Sequence, residues 1–423
     1  MLSLAAFALL LLLGLPIAVA ILGAAMLQIA LSGNAALLTD APAQVFAGVE
    51  SYGLLALPVF LLLGELMSAS GAAERLMRVA ALCVGPVRGG LGHVTLVANA
   101  LLAAILGSSV AQITLMSRLA VPAMTRAGYP PEAAAATVAA GGLLAPVLPP
   151  SMLLIVFGVI AQMPVGRLFV AGLLPGALLL AALIAVTAWI ARREGLAAEP
   201  RRPGVAPGTL LGALPAMAIP AVMIGAIVSG LATAVEAGIF GVLAVLVVGG
   251  AVYRALGLAD LRDALLRAAS GSAMVLFLIA VAALWGWIAA WENLPARAAD
   301  ALTALTADPL LFLLLLNLGL LLLGMVIDPM PALILVVPVF LPVAVESYGI
   351  DPLQFGLVVC VNLTLGLLTP PVGTGLFTAA KLNGIAPERL VLRLAPYLAA
   401  AALVLAALSL FPVLTTGLVR SLF

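Results

Sequence analysis

The sequence predicts an all-α polytopic membrane protein built from two inverted-topology repeats, each with a re-entrant helical hairpin and a broken transmembrane helix. Three observations lead there. Of 423 residues, 65% are hydrophobic and 8% charged, with a mean hydropathy of +1.31. Apolar runs repeatedly exceed the roughly 20 residues that span a bilayer. And "GGLLAPVLPPSMLLIVFG" around Pro149-Pro150 is echoed by "LTLGLLTPPVGTGLFTAA" around Pro370-Pro371. The echo keeps one offset, 370 − 149 = 221, through Gly128/Gly349, Pro131/Pro352 and Pro175/Pro396. Paired helix breaks in two hydrophobic halves point to a secondary transporter with a midplane site.

Apolar spans run over residues 4–31, 52–70, 131–161, 170–191, 209–230, 235–253, 270–291, 353–380 and 394–413, nine crossings in all. Two more stretches, 91–126 and 309–346, suit hairpins that enter and leave on one side. They turn at Gly107-Ser108-Ser109 and at Asp328-Pro329-Met330-Pro331. Non-helical backbone at that depth is tolerated only inside protein or against a wet cavity, so each turn must face something polar. Segments 72–84 and 295–306 are amphipathic and read as interfacial arms. The chain divides into a first repeat over 1–190, a linker over 191–208, and scaffold helices with the second repeat over 209–423. The first repeat holds hairpin 91–126 and broken helix 131–161; the second holds hairpin 309–346 and broken helix 353–380.

Basic residues set the orientation, because cytoplasmic loops collect Arg and Lys. With the linker (Arg192, Arg193, Arg201, Arg202) inside, most cations fall inside as well, while Asp40, Glu50, Asp300, Asp308 and Asp351 fall outside. This places the N-terminus in the cytoplasm and the C-terminus outside. Five crossings separate the repeat starts, and an odd number inverts the second copy. The hairpin tips then meet near the bilayer centre, between the two broken helices.

An interrupted helix offers bared carbonyls at one end and a positive dipole at the other. Hard cations prefer oxygen ligands, and a single His with two isolated Cys excludes a soft-metal cluster. Sodium fits. One ion site would use Ser108, Ser109 and the backbone of Gly107, Ala145 and Leu148. The other would use Asp328, Thr369 and the backbone of Gly324 and Gly366. An organic anion would lie between the tips, against Ser109, Pro150, Ser151, Pro371 and Gly373. One sodium with one monocarboxylate is electroneutral, so two ion sites imply at least two sodium ions per monoanion and a gain from the membrane potential.

"GELMSASGAAERLMRVA", "GSSVA", "VPAMTRAGYPPEAAAA", "LLAPVLPPSMLLIVFGV", "RLFVAGLLPG", "TAVEAGIFGVL", "GMVIDPMPALILVVPVFLPVA" and "GLLTPPVGTGLF", in that order, resemble the large membrane subunit of TRAP (tripartite ATP-independent periplasmic) transporters over nearly the whole chain. The resemblance implies sodium-coupled uptake of carboxylates or related organic acids across the bacterial inner membrane by an elevator movement. It also implies two partners, a small four-helix membrane subunit and a periplasmic substrate-binding protein. Gln112 and Val235 depart from the family's usual residues, an acid in the first case and a Thr in the second.

A stand-alone sodium-coupled di- or tricarboxylate carrier is the rival reading. An enzyme is disfavoured, since Asp328 faces Gly107 at the equivalent position (328 − 221 = 107) and has no acidic counterpart. No nucleotide-binding Gly-rich loop is visible, no cofactor is expected beyond the coupling ion, and a net charge of +1 gives no footing for nucleic acid. Several polar residues have two readings each. Asp328 acts in the site or caps the helix from Pro329. Ser108 and Ser109 contact the ligand or cap the hairpin's return helix. Thr369 ligates or bonds its own helix, and Glu65 and Glu236 serve transport or structure. Arg118 and Lys381 read as interfacial cations, His93 as a plain polar residue, and Cys83 and Cys360 as small buried residues.

Overall fold

A computed structural model describes residues 2–84, 87–195 and 207–423. Arg201 and Arg202 of the linker lie outside the described residues. The first part of the chain runs α1 (Leu2–Leu12), α2 (Ile17–Ser32), α3 (Ala35–Ala47), α4 (Ala56–Ala69), α5 (Ala72–Val84), α6 (Gly90–Leu106), α7 (Ser109–Arg126), α8 (Pro131–Gly141), α9 (Met152–Ile160) and α10 (Val165–Arg193). The second runs α11 (Pro207–Val228), α12 (Ala234–Val247), α13 (Leu258–Trp291), α14 (Leu294–Leu305), α15 (Pro309–Gly324), α16 (Pro329–Pro342), α17 (Pro352–Leu367), α18 (Thr374–Asn383), α19 (Pro387–Leu410) and α20 (Val413–Leu422). Among the described residues six helices are long and apolar enough to cross a membrane.

The offset seen in the sequence also organises the elements. Adding 221 to α5 gives 293–305 against α14; to α7, 330–347 against α16 and its π-helical extension Val343–Ser347; to α9, 373–381 against α18. Packing pairs these elements crosswise. α18 lies on α7, the hairpin helix of the other half, and its counterpart α9 lies on α16. The long helices α4 and α13 pack on each other, as do α10 and α19.

Proline and glycine place most of the boundaries. Pro begins α8, α15, α16, α17 and α19 at the first helical turn, where its missing N–H costs nothing. Asp308 and Asp351 cap α15 and α17, accepting from Leu310 N and Leu353 N at 2.9 Å each. α17 is buried on every side from Leu353 to Leu367, and α8 from Ala134 to Gly141. A helix apolar all round belongs in an interior, so the two broken helices form the centre of the molecule.

Three features depart from the sequence expectation. The run 4–31 is two helices, because Gly14 takes a left-handed φ of 80° and Pro16 restarts the chain. α1 folds back on α2, with the Leu10 side chain against Gly23. The run is therefore no single crossing, and crossing parity no longer places the N-terminus. Residues 35–47 form a short helix capped by Asn34, and 413–422 form another after Pro412. Cys83 is exposed, whereas Cys360 is buried as expected.

Helices α8, α10 and α19 meet at Tyr397, whose hydroxyl lies 3.2 Å from Thr137 Oγ1 and 3.1 Å from Thr187 Oγ1. Both threonines also bond carbonyls of their own helices, so removing the phenol oxygen strands no donor. Tyr397→Phe should lower stability by about 1 kcal/mol, read as a shift in the unfolding midpoint in detergent. A loss above roughly 3 kcal/mol, the cost of stranding a buried polar group, would show that the hydroxyl holds a larger network.

Candidate functional site

Each hairpin tip is pressed against the break of its own repeat. In the first, Gly107 closes α6 in the left-handed region, with a φ of 58°. A Cβ there would stand 3.1 Å from Pro150 O and 3.3 Å from Met152 N, so backbone meets backbone. Ser108 caps α7, its Oγ accepting from Ala111 N at 3.5 Å. Ser109 is buried and its hydroxyl has no partner among the described residues. The break itself carries Ala145, Leu148 and a cis Pro149-Pro150 bond. Ser151 closes it by donating to Pro146 O at 2.7 Å and accepting from Leu154 N at 3.3 Å. The structure thus brings Gly107, Pro150 and Ser151 together. Ser151 spends its hydroxyl on its own chain, while Leu148 packs its side chain on Gly176 of α10.

The second repeat does the same more tightly. A Cβ on Gly366 would stand 2.6 Å from the Gly324 carbonyl carbon and 2.7 Å from its Cα. The hairpin tip and the break are also joined by Gly373 N donating to Met325 O at 2.9 Å. Asp328 forms no cap hydrogen bond on α16. Its Oδ1 instead accepts from Thr374 Oγ1 at 2.6 Å, across the tip–break contact. The capping reading of Asp328 is therefore set aside. Thr369 donates to Leu365 O of its own helix at 2.7 Å, leaving its oxygen lone pairs for another partner.

The two breaks differ in access. Residues 149–151 are buried, whereas Pro370, Pro371 and Val372 beside the second, also cis, proline pair are exposed. The neighbouring faces of α7 and α18 are open too, at Ala111 and Arg118 on one and Phe377 and Lys381 on the other. Asn383 Nδ2 to Ser117 Oγ at 3.1 Å fixes these helices side by side.

Sequence reasoning missed a set of buried carboxamides. Gln112 Nε2 donates to Asn99 O (2.8 Å), Asn99 Oδ1 (2.7 Å) and Gly141 O (3.2 Å), tying hairpin α6–α7 to α8. At the position equivalent to Gly141 (141 + 221 = 362), Asn362 Nδ2 donates to Asn317 O at 2.9 Å and Asn317 Oδ1 at 2.7 Å, tying α17 to α15. Gln112 Oε1 and Asn362 Oδ1 are left buried and without hydrogen-bond partners among the described residues. A carboxamide inside an apolar span is itself a signal; Asn99, Asn317 and Asn362 carried it.

Two carboxylates resolve as structural. Glu236 completes a capping box, accepting from Thr233 N at 2.7 Å and Thr233 Oγ1 at 2.8 Å. Glu65 pairs with Arg267 at 2.6 Å between α4 and α13. Among the described residues no group of three His, Cys, Asp or Glu side chains is placed to hold a metal.

The result is an all-helical fold of membrane-spanning type with two tip–break contacts among the described residues. The fold resembles the Alcanivorax borkumensis YdaH transporter (TM-score 0.63, 16% identity, 88% of this chain and 87% of that one). It also resembles Neisseria gonorrhoeae MtrF (TM-score 0.59, 16% identity, 88% and 83%). Residues 4–414 match the family described as tripartite ATP-independent periplasmic transporter, DctM component. The chain belongs to that family and is a TRAP large membrane subunit. It is 33% identical to the sialic acid TRAP transporter large permease of Vibrio cholerae (95% of this chain, 94% of that protein). It is 36% identical to the C4-dicarboxylate large permease of Pseudomonas aeruginosa (81% and 80%), and 35% to the 2,3-diketo-L-gulonate large permease of Escherichia coli (77% and 77%).

The glycine contact yields a sharp contrast. Gly366→Ala forces a methyl into Gly324 backbone and should cost about 1–3 kcal/mol, the usual toll of overpacking. Gly319→Ala, in the same hairpin with nothing within 4 Å, should be neutral or slightly stabilising. Thermal unfolding of both variants in one detergent compares them; equal behaviour would remove the tip–break contact from the argument.

Proposed function

We propose that this subunit carries an organic anion inward across the bacterial inner membrane, driven by sodium, with a small four-helix membrane subunit and a periplasmic binding protein as partners. The observation that carries the reading is the set of spare oxygens at the tip–break contacts and one to two helical turns along α7 and α17 from them. Ser109 Oγ, Gln112 Oε1 and Asn362 Oδ1 are buried without hydrogen-bond partners, and Asp328 holds its carboxylate at the second contact. Hard oxygen donors in that number suit sodium and leave soft metals without ligands. Gln112 supplies a neutral oxygen where the family usually has an acid, so the first ion site holds its cation with less protein charge. Relatives are named for sialic acid, diketogulonate and C4-dicarboxylates, which are carboxylates, and for isethionate, a sulfonate; an organic anion fits a site whose nearby cations are Arg118 and Lys381.

In the mechanism, α2, α3, α4, α12 and α13 stay fixed while the hairpins, the broken helices, α10 and α19 move as one body. Crosswise packing of α18 on α7 and α9 on α16 is what inverted repeats sharing one site require. A cavity of about 750 Å³ separates the two bodies, with Gly48, Ser51 and Ala283 on the fixed side and Gln162, Ile334 and Pro338 on the moving side. That cavity leaves room along part of the seam for one body to slide past the other. The linker-side basic residues face the cytoplasm and the C-terminus faces the periplasm, where Arg420 pairs with Asp351 at 3.5 Å. The open face beside Pro371 then leads inward, with sodium and anion leaving past α7 and α18.

Proteoliposomes holding this chain and its small subunit, supplied with binding protein and a panel of carboxylates, test the reading. Uptake of at least one acid should require inward sodium and quicken under an inside-negative potential for a monoanion. Asp328→Ala should slow it tenfold or more, equivalent to about 1.4 kcal/mol. Full uptake in sodium-free medium, or an unchanged rate under imposed potential, would refute the coupling.

A further inference from the structure

A second site lies away from the tips. The end of α5, the start of α6 and the last turns of α10 enclose a groove of about 590 Å³. On its α10 wall Ile184, Ala188 and Arg192 follow at four-residue steps, one stripe about 12 Å long. That length fits within one leaflet, half of the roughly 30 Å hydrocarbon core. Arg192 stands at the outer end of the stripe, and Arg88 lines the same groove. Both are exposed, and neither forms an ion pair with a described carboxylate.

His93 supplies the independent observation. It lines this groove, is only 8% exposed, and its Nδ1 has no hydrogen-bond partner among the described residues. A neutral imidazole carries its proton on one of its two nitrogens, and a donor facing Nδ1 selects the Nε2–H tautomer. In that tautomer Nδ1 is a bare acceptor. A buried acceptor is costly to leave unpaired, so the groove calls for a ligand with a hydroxyl near an anion, followed by a hydrocarbon chain.

We propose that this groove binds one anionic glycerophospholipid of the phosphatidylglycerol type. Its phosphate sits between the Arg88 and Arg192 guanidiniums, a headgroup hydroxyl donates to His93 Nδ1, and an acyl chain lies along Ala188 and Ile184. Basic pockets between transmembrane helices recognise lipid headgroups by this charge pairing. The site joins the arm, the first hairpin and α10, so an occupied groove stiffens the arm against the hairpin it supports.

The native thiols supply the readout. Cys83 lines the groove and is exposed, whereas Cys360 is buried, so a small thiol reagent reports on Cys83 alone. Full-length protein, delipidated in a neutral detergent, would be labelled with or without added phosphatidylglycerol, phosphatidylcholine or inorganic phosphate. Phosphatidylglycerol should slow labelling at least fivefold, while phosphatidylcholine and phosphate leave it unchanged. The double variant R88Q/R192Q should lose this protection, H93F should weaken it, and R126Q, an arginine outside the groove, should keep it. Arg88 and Arg192 face the surface whereas His93 is buried, so each variant's unfolding midpoint serves as the check on folding. Equal protection by phosphatidylcholine, protection by phosphate alone, protection that survives R88Q/R192Q, or protection by the purified small subunit without lipid would each overturn the assignment.

Discussion

Everything in this molecule answers to one constraint. Backbone freed from a helix in the middle of a bilayer must find partners within the protein. Four helices, α6, α8, α15 and α17, stop within the packed helices of this fold, and the chain meets the demand by bringing main chain onto main chain. Gly324 and Gly366 touch with no side chain between them, Gly107 lies against Pro150 and Met152, and Gly373 donates directly to Met325. Only glycine permits these approaches, and at Gly107 and Gly373 it also permits the positive φ. Carboxamides tighten both hairpins onto α8 and α17. What stays unpaired is a few buried side-chain oxygens, those of Ser109, Gln112 and Asn362, and on these the proposed binding site rests.

The two halves apply this construction unequally. The first break is sealed by Ser151, which caps α9 and bonds back to Pro146. The second has Pro371 and Val372 at the surface, with Thr374 bonded to Asp328 across the gap. Similar backbone geometry thus yields one closed wall and one open mouth. A carrier needs that difference in any single conformation, since a site open at both ends would be a channel.

Much of this was legible in the sequence because its causes are local. Proline pairs, glycines and an offset of 221 residues report backbone breaks wherever they occur, so Gly107, Asp328, Pro150 and Pro371 could be placed before any coordinates. The uses of individual hydroxyls and carboxylates were less legible, since a hydrogen bond depends on what another segment presents. Thr369 turns to Leu365, Ser108 caps α7, Glu236 caps α12, and Asp328 bonds Thr374 rather than its own helix. The amide ties of Gln112 and Asn362 reach across sequence distances that no period encodes. The fold-back of α1 was hidden because Gly14 and Pro16 sit in a hydrophobic run long enough for a single crossing, and hydropathy is blind to direction. Cys83 read as buried because its neighbours in sequence are apolar, yet at the end of α5 its side chain is exposed.

The central claim is that the spare oxygens at the tip–break contacts hold sodium. Equilibrium binding of radioactive sodium to the purified protein measures this without any transport step. The account predicts saturable binding that potassium and choline do not displace, weakened about tenfold or more in Ser109→Ala and in Asp328→Asn variants that still fold. Binding of wild-type strength in both variants, or no saturable sodium binding by a protein that still takes up its organic anion, would contradict it.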